Sequence, residues 1–395
     1  MTPSEVIADG LLITDGDRIT WVGDAQQAAE TGYETELKQA RDIPEGGYIL
    51  PGLVDLHCHG GGGASFPDAI TADEARIAAN EHLSHGTTSL VASLVTADKE
   101  TLVQRVRTLK QLCETGELAG IHLEGPFLSK ARCGAQNPDH MQVPDADLVR
   151  AVGKEAGGHF VTMTVAPELE GMLGKGGVFS ALAEVGALPS IGHTDASAET
   201  VEQAIAEAQT YLAQNLSLSP NPTATHLFNG MRPLHHRDPG PIAACLAAAA
   251  VHGCVVELIG DGVHLAPATV RSVFGMLSPE DIVLVTDAMA AAGMADGEYD
   301  LGPVRVKVAD GVARLVDGDA IAGGTAHLLD VLRATVTAGI DLVSATRAAA
   351  TTPARTLGKA SEFGALVTGL RANLVVVDDE LKPRGVARNG EWIRR

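Results

Sequence analysis

Pro51-Gly52-Leu53-Val54-Asp55-Leu56-His57-Cys58-His59, followed by the glycines Gly60 to Gly63, is the stretch whose reading decides the fold. Leu53 to Cys58 is apolar and β-compatible, entered through Pro-Gly and left through a glycine run, so it reads as a strand. Strict alternation puts Asp55, His57 and His59 on one face and Val54, Leu56 and Cys58 on the other. Two imidazoles two residues apart, at the open end of a buried strand, can point at one metal ion. The glycines let the chain turn sharply and leave room for a ligand. An isolated His-x-His is better read as two polar strand-end residues. The strand ends downstream change that balance.

Seven further apolar, β-rich runs follow: Thr88–Val95, Ala119–Leu123, Phe160–Val165, Leu188–Ile191, Ala224–Phe228, Val255–Ile259 and Ile282–Val285. Between them lie segments of helical periodicity, among them Ala72–His85, Lys99–Cys113, Ser197–Leu212 and Pro267–Leu277. Strands alternating with helices predict an α/β protein with a (β/α)8 TIM-like barrel. A doubly wound open sheet is the alternative, disfavoured because no Gly-x-Gly-x-x-Gly follows an early strand. Tyr299 to Gly318, with its Asp317-Gly318 turn signal, reads as an inserted hairpin; Ala326–Gly339 and Leu342–Leu357 read as closing helices.

Short strands and turns are expected from about Glu5 to Tyr48: Val6-Ile7, Leu11–Ile13 and Ile19–Val22, with a turn at Asp15-Gly16-Asp17. Asn373–Asp378 and Val386–Trp392 have the same texture. The two ends are expected to pair into one small β-sandwich domain, dividing the chain into 1–50, a barrel over 51–358, and 359–395.

The 395 residues are 45% hydrophobic but only 3% aromatic, so the core must be built from Ala, Val, Leu and Ile, which suits parallel strands under helices. A net charge of −21 argues against nucleic acid or an acidic membrane surface as partner, and an anionic substrate would need local positive groups. Five cysteines without Cys-x-x-Cys spacing are expected to be reduced thiols in the cytoplasm. Neither a signal peptide nor a membrane-spanning run is seen.

Reading only the strand ends gives a coherent list. The first run ends in His57 and His59, the third in His122-Leu123-Glu124-Gly125-Pro126, and the fifth in Gly192-His193-Thr194-Asp195. The sixth ends in Thr225-His226-Leu227-Phe228-Asn229, the seventh in Gly260-Asp261-Gly262-Val263-His264, and the eighth in Thr286-Asp287-Ala288. A barrel gathers its active site at these ends. Imidazoles and carboxylates suit Zn²⁺ and related divalent ions, and an open coordination position makes such a site hydrolytic. Asp287, set apart from the histidines, is the candidate acid-base group, with helix capping as its other reading. His122 shares the face of Glu124 and stays open as a further site residue. His82, His85, His159 and His252 read as structural or solvated.

The motifs Pro51-Gly-Leu-Val-Asp-Leu-His-Cys-His-Gly, His122-Leu-Glu-Gly-Pro-Phe, Gly192-His-Thr-Asp-Ala, Thr225-His-Leu-Phe-Asn-Gly-Met and Val285-Thr-Asp-Ala-Met resemble those of the N-acetylglucosamine-6-phosphate deacetylases of the amidohydrolase superfamily. The likeness runs along essentially the whole chain. It implies removal of acetate from N-acetylglucosamine 6-phosphate, in amino-sugar catabolism and cell-wall recycling. Glu124, His193 and His226 match the family's principal metal ligands, and Asp287 its acid-base group. His57 and His59 match a second metal position where some relatives have amides, so one or two ions per subunit are implied here, Zn²⁺ foremost, with Glu124 as the bridge where there are two. Sugar-phosphate contacts are implied at Ala135, Asn229, Gly230, Arg237, Asp261, His264, Ile321, Ala322 and Gly323. In relatives the arginine matching Arg237 serves the neighbouring subunit, which implies a homodimer. One loop departs from the family: Gly-x-His-Asn-Pro is here Gly134-Ala135-Gln136-Asn137-Pro138, after Cys133, a loop thiol or a lid residue. Competing functions are a cyclic-amide hydrolase of the dihydroorotase or hydantoinase type, which usually bridges its metals with a carboxylated lysine, and a non-catalytic barrel used as a binding module.

Overall fold

The structure, a computed structural model, describes every residue except 216, 218, 303, 317–319 and 395. Among these residues eight parallel strands pair in sequence order: β1 (Leu53–Cys58), β2 (Thr87–Leu94), β3 (Gly120–Glu124), β4 (Phe160–Val165), β5 (Leu188–Ile191), β6 (Thr223–Ala224), β7 (Val255–Leu258) and β8 (Ile282–Leu284). The ring closes where Asp287 N–H donates to His57 O (2.9 Å) and His59 N–H donates to Ala288 O (2.7 Å). This is the expected barrel.

A helix follows each strand: α1 (Ala72–Ser84), α2 (Lys99–Glu114), α3 (Ala146–Ala156), α4 (Val178–Glu184), α5 (Ala198–Gln214), α6 (Gly240–Ala249), α7 (Pro267–Met276) and, after an insertion, α8 (Leu328–Thr337). Local chemistry sets their ends. Thr71 and Glu74 form a reciprocal capping box at α1, Ser197 caps α5, and Gly157 closes α3 in the left-handed conformation. Apolar faces such as Leu102, Val106, Leu109 and Leu112 of α2 pack on the outside of the strands.

β1 departs from simple alternation. Its register against β2 runs Asp55↔Leu90, then Cys58↔Ala92, three residues against two. This bulge lets Val54 and Leu56 pack with Val91, Val255 and Val283 while His57 and His59 still turn into the site. Asp55 is not on the histidine side; its carboxylate accepts from Thr286 Oγ1 (2.6 Å), tying β1 to β8. The glycine run does not open a ligand space either. Gly60–Gly61 pair with Ala64–Ser65, and Gly62 and Gly63 make the turn at φ 61° and 83°.

The chain ends meet as expected. Tyr48–Pro51 pairs antiparallel with Leu374–Val377, which continues into Pro383–Arg388 and Glu391–Arg394. The hairpin Gly10–Asp15/Arg18–Asp24 joins them through Ile19, packed on Leu366, Leu374 and Val376. Val6-Ile7 is not a strand, and Ala25–Glu30 and Glu34–Gln39 are short helices where strands and turns were expected. Gly297–Leu301, Val304–Ala309 and Val312–Leu315 form a three-stranded insertion after β8; the Asp317-Gly318 signal lies outside the described residues. The last closing segment is helical from Leu342 to Thr356, with a π turn at Arg347–Thr351. No helix among the described residues is long and apolar enough to cross a membrane, and the five cysteines are free.

Candidate active site

Six of the residues read from the strand ends converge. Glu124, on the last position of β3, is their centre. Its Oε1 lies 2.9 Å from both His193 Nε2 and His226 Nε2, and its Oε2 lies 3.1 Å from His59 Nε2. His57 Nε2 and His59 Nε2 are 3.1 Å apart, and each faces Asp287 Oδ1, at 3.4 and 3.3 Å. The Asp287 side chain is 14% exposed and that of Glu124 4%, so Asp287 is the carboxylate on the open side. His193, His226 and Asp287 sit beyond their strands at φ 45°, 28° and 48°. A left-handed backbone at a residue with a Cβ costs about 1–3 kcal/mol and persists where surrounding structure imposes it. β6 ends at Ala224 rather than Phe228 for this reason: His226 and Phe228 both leave the extended conformation.

Electrostatics here are steep. Burial alone would raise both carboxyls. His193 and His226 instead hold Glu124 well below the usual carboxylate range, and His57 and His59 hold Asp287 below it. Burial opposes charging His57, yet Asp287, Glu124 and Glu257 together push it well above the ordinary imidazole value.

These residues fit a divalent ion. If His193 donates from Nδ1 to Arg132 O (2.8 Å), its Nε2 turns a lone pair onto Glu124 Oε1. Two acceptors at 2.9 Å need a proton or a cation between them. Two imidazoles on one tetrahedral ion have ring centroids about 5 Å apart, given bonds near 2 Å. The pairs His193/His226 and His57/His59 are each at 5.0 Å. Glu81, His85 and His327 also group their donors, but the two rings stack at 3.7 Å and 12°, a geometry that cannot share an ion.

His122 is not a ligand. Its nitrogens are taken by Ser93 Oγ (2.9 Å) and Thr164 Oγ1 (2.8 Å), and burial with His57 nearby keeps it well below the ordinary imidazole value. Three residues had no site role read from the sequence, although Asp55 and Gln136 stood in the stretches singled out. Asp55 is described above. Glu257, inside β7, reaches His57 Nδ1 (3.3 Å) and accepts from His226 N–H (3.2 Å). Gln136 donates to Glu124 Oε2 (2.5 Å). A carboxylate within the apolar run of β7 was a usable signal, because a buried charge needs partners.

The expected sugar-phosphate residues fall in several groups. Asn229 Nδ2 donates to His226 O (3.1 Å). Gly230, at φ 60°, lies so close that a Cβ would come 2.8 Å from His193 Nδ1. Asp261 Oδ2 meets His264 Nδ1 at 2.8 Å; burial opposes the charge, but Asp261, with Asp287 adding, raises the imidazole. Ala135 and Ala322 pack in one cluster with Met289 and the inserted sheet, and Gly324 N–H donates to Asp287 O (2.7 Å), so the Ile321–Gly323 loop flanks Asp287. Arg237 is not brought to the cluster. It is exposed, its Nη1 is 2.8 Å from His236 Nε2, and among the described residues it pairs with no carboxylate.

Comparison with known proteins identifies the family. Residues 48–393 match the Amidohydrolase family. An N-acetylglucosamine-6-phosphate deacetylase of Bacillus subtilis is 32% identical over 396 residues, covering 96% of this chain and 91% of its own. One from Bos taurus is 33% identical, covering 88% and 84%. A solved aspartate-to-alanine mutant of the Mycobacterium smegmatis deacetylase, in complex with N-acetyl-D-glucosamine-6-phosphate, superposes with a TM-score of 0.87 at 38% identity, over 100% of this chain and 97% of that one. The chain belongs to the amidohydrolase family, a family of metal-dependent hydrolases, and the three relatives just described, each matched over most of its length, are N-acetylglucosamine-6-phosphate deacetylases.

Proposed function

We propose that this protein hydrolyses N-acetylglucosamine 6-phosphate to glucosamine 6-phosphate and acetate, in the cytoplasm, as a homodimer, in amino-sugar catabolism and cell-wall recycling. The observation that carries this reading is the convergence of four imidazoles on Glu124, His193 and His226 at Oε1 and His59 at Oε2 with His57 beside it, and Asp287 facing His57 and His59. Glu124, His193 and His226 would hold one divalent ion and His57 and His59, with Glu124, a second; Zn²⁺ suits the donors. A bound ion supplies Lewis acidity toward the amide carbonyl and toward water.

Asp287 is ionised at neutral pH, held so by His57 and His59. It can take the proton of the attacking water and return it to the departing amine nitrogen, which must leave protonated. Its left-handed backbone aims the carboxylate away from β8 and toward both histidines. Asn229 and Gly230 beside His226 and His193, and the Asp261–His264 pair, would suit a sugar's hydroxyls and phosphate in this reading, as would Ala135 and Ile321–Gly323. Arg237, whose guanidinium meets His236 and no carboxylate among the described residues, suits phosphate. It belongs in this reading to the neighbouring subunit's site. In this reading 1–50 and 359–395 form a small β domain and 51–358 the catalytic barrel. A bridging glutamate in place of carboxylated lysine disfavours the cyclic-amide alternative.

Acetate release from N-acetylglucosamine 6-phosphate by purified protein tests the proposal, before and after chelation. Release that chelation abolishes and Zn²⁺ restores is expected. No release from metal-loaded protein, with turnover of a cyclic amide instead, would replace this substrate.

A further inference from the structure

The segment from Ser129 to Asn137 straps across the ligand cluster. Ser129 N–H donates to His193 O (2.9 Å), His193 Nδ1 meets Arg132 O (2.8 Å), and Arg132 pairs with Asp195 (2.8 Å). At its far end Gln136 is buried, and both ends of its carboxamide are used. Thr96 N–H donates to Oε1 at 2.9 Å, and Nε2 donates to Glu124 Oε2 at 2.5 Å. Only one orientation of the amide satisfies both contacts, because a backbone N–H needs an acceptor and a carboxylate needs a donor.

We propose that Gln136 is a positioning residue for metal binding, fixing the Glu124 carboxylate so that Oε2 is kept toward His59 while Oε1 stays on His193 and His226. The inference rests on the metal-site reading above, not on the identity of the substrate. A carboxylate is free to spin about its last bond, and Glu124 has histidines on both sides. Unrestrained, it can turn both oxygens onto His193 and His226. The Gln136 donor holds Oε2 on the side of His59, 3.1 Å away, and leaves Oε1 to His193 and His226. Thr96 N–H, with Thr96 Oγ1 donating to Glu124 O (3.2 Å), anchors that donor to the end of β2. A neutral amide orients the ligand and adds no charge to the site.

Metal binding without substrate is the test, by equilibrium dialysis with Zn²⁺ and Co²⁺ and elemental analysis. Gln136→Leu keeps the size and removes the donor. Its weaker ion should bind roughly 10- to 100-fold less tightly than in the wild type, the usual cost of losing a hydrogen bond to a ligand. The chelated variant should melt close to the chelated wild type, and excess metal should restore kcat with KM little changed. Gln136→His, which keeps one N–H donor, should recover part of the affinity. Unchanged affinity and stoichiometry in Gln136→Leu would overturn the proposal. So would a variant whose apo form melts far lower and whose affinity Gln136→His does not recover, since that is a packing role. If wild-type protein binds metal but releases no acetate, the substrate reading fails while this result stands.

Discussion

Asp287 has two properties with separate consequences: its carboxylate and its φ of 48°. Asp287→Asn keeps the shape and removes the base, so turnover should fall by about a thousandfold while bound metal is unchanged. Near-normal kcat with full metal would remove Asp287 from its role. The backbone gives an independent check. Asp287→Ala and Asp287→Gly lose the same carboxylate, but only alanine pays for a Cβ in the left-handed region. In chelated protein the glycine variant should be more stable in urea by about 1 kcal/mol. Equal stabilities would mean that the loop relaxes once the carboxylate is gone. Such residues were legible as chemistry, since His, Glu and Asp recur after apolar runs. Their strain was not, because Asp and His, though enriched at positive φ, adopt it too seldom for the residue type to announce it. Gln136 and Glu257 left a mark, a loop departure and a carboxylate in an apolar run, but their roles were illegible because the partners lie 12 and 200 positions away in the chain.

At the scale of elements, α1 carries a buried histidine against the end of β1. His82 Nε2 meets Gly60 O at 2.8 Å, and burial with the nearby His327 pushes its imidazole down to about 3. The folded state therefore favours neutral His82, whereas the unfolded chain protonates near 6.5. Its stabilising share is fully present above 6.5 and lost as pH falls from there toward 3, by at most about 1.4 kcal/mol per pH unit. In chelated protein, His82→Gln should lose less stability than wild type between about pH 7 and 4. Parallel urea curves across that window would refute the shift. Elements themselves were read well where periodicity was strong: α1, α2, α5 and α7 each fall within two residues of expectation. β1 was read correctly in extent and wrongly in facing. A bulge inserts one residue without a compositional mark, and only the register against β2 reveals it.

At the scale of the molecule, the barrel and the union of the chain ends followed from pattern, because each end was too short for a core and both had the same β texture. The arginine expected to hold the phosphate is not part of the cluster in its own chain: among the described residues Arg237 stands exposed beside His235 and His236 and contacts neither Glu124 nor Asp287. If it completes the partner's site, its loss and the loss of Asp287 should complement each other. Arg237→Ala and Asp287→Asn homodimers would each be nearly inactive at low substrate. Unfolded together and refolded as a mixture, they would form hybrids in which one site carries both defects and the other none. Random pairing makes about half the dimers hybrid, so activity should return to about a quarter of the wild-type level. An arginine acting within its own subunit leaves every site of the mixture with at least one defect, and no activity returns. Recovery therefore reports the trans arrangement directly, through a readout that neither parent can give alone, and its absence from a mixture shown to contain hybrids would assign Arg237 to its own chain.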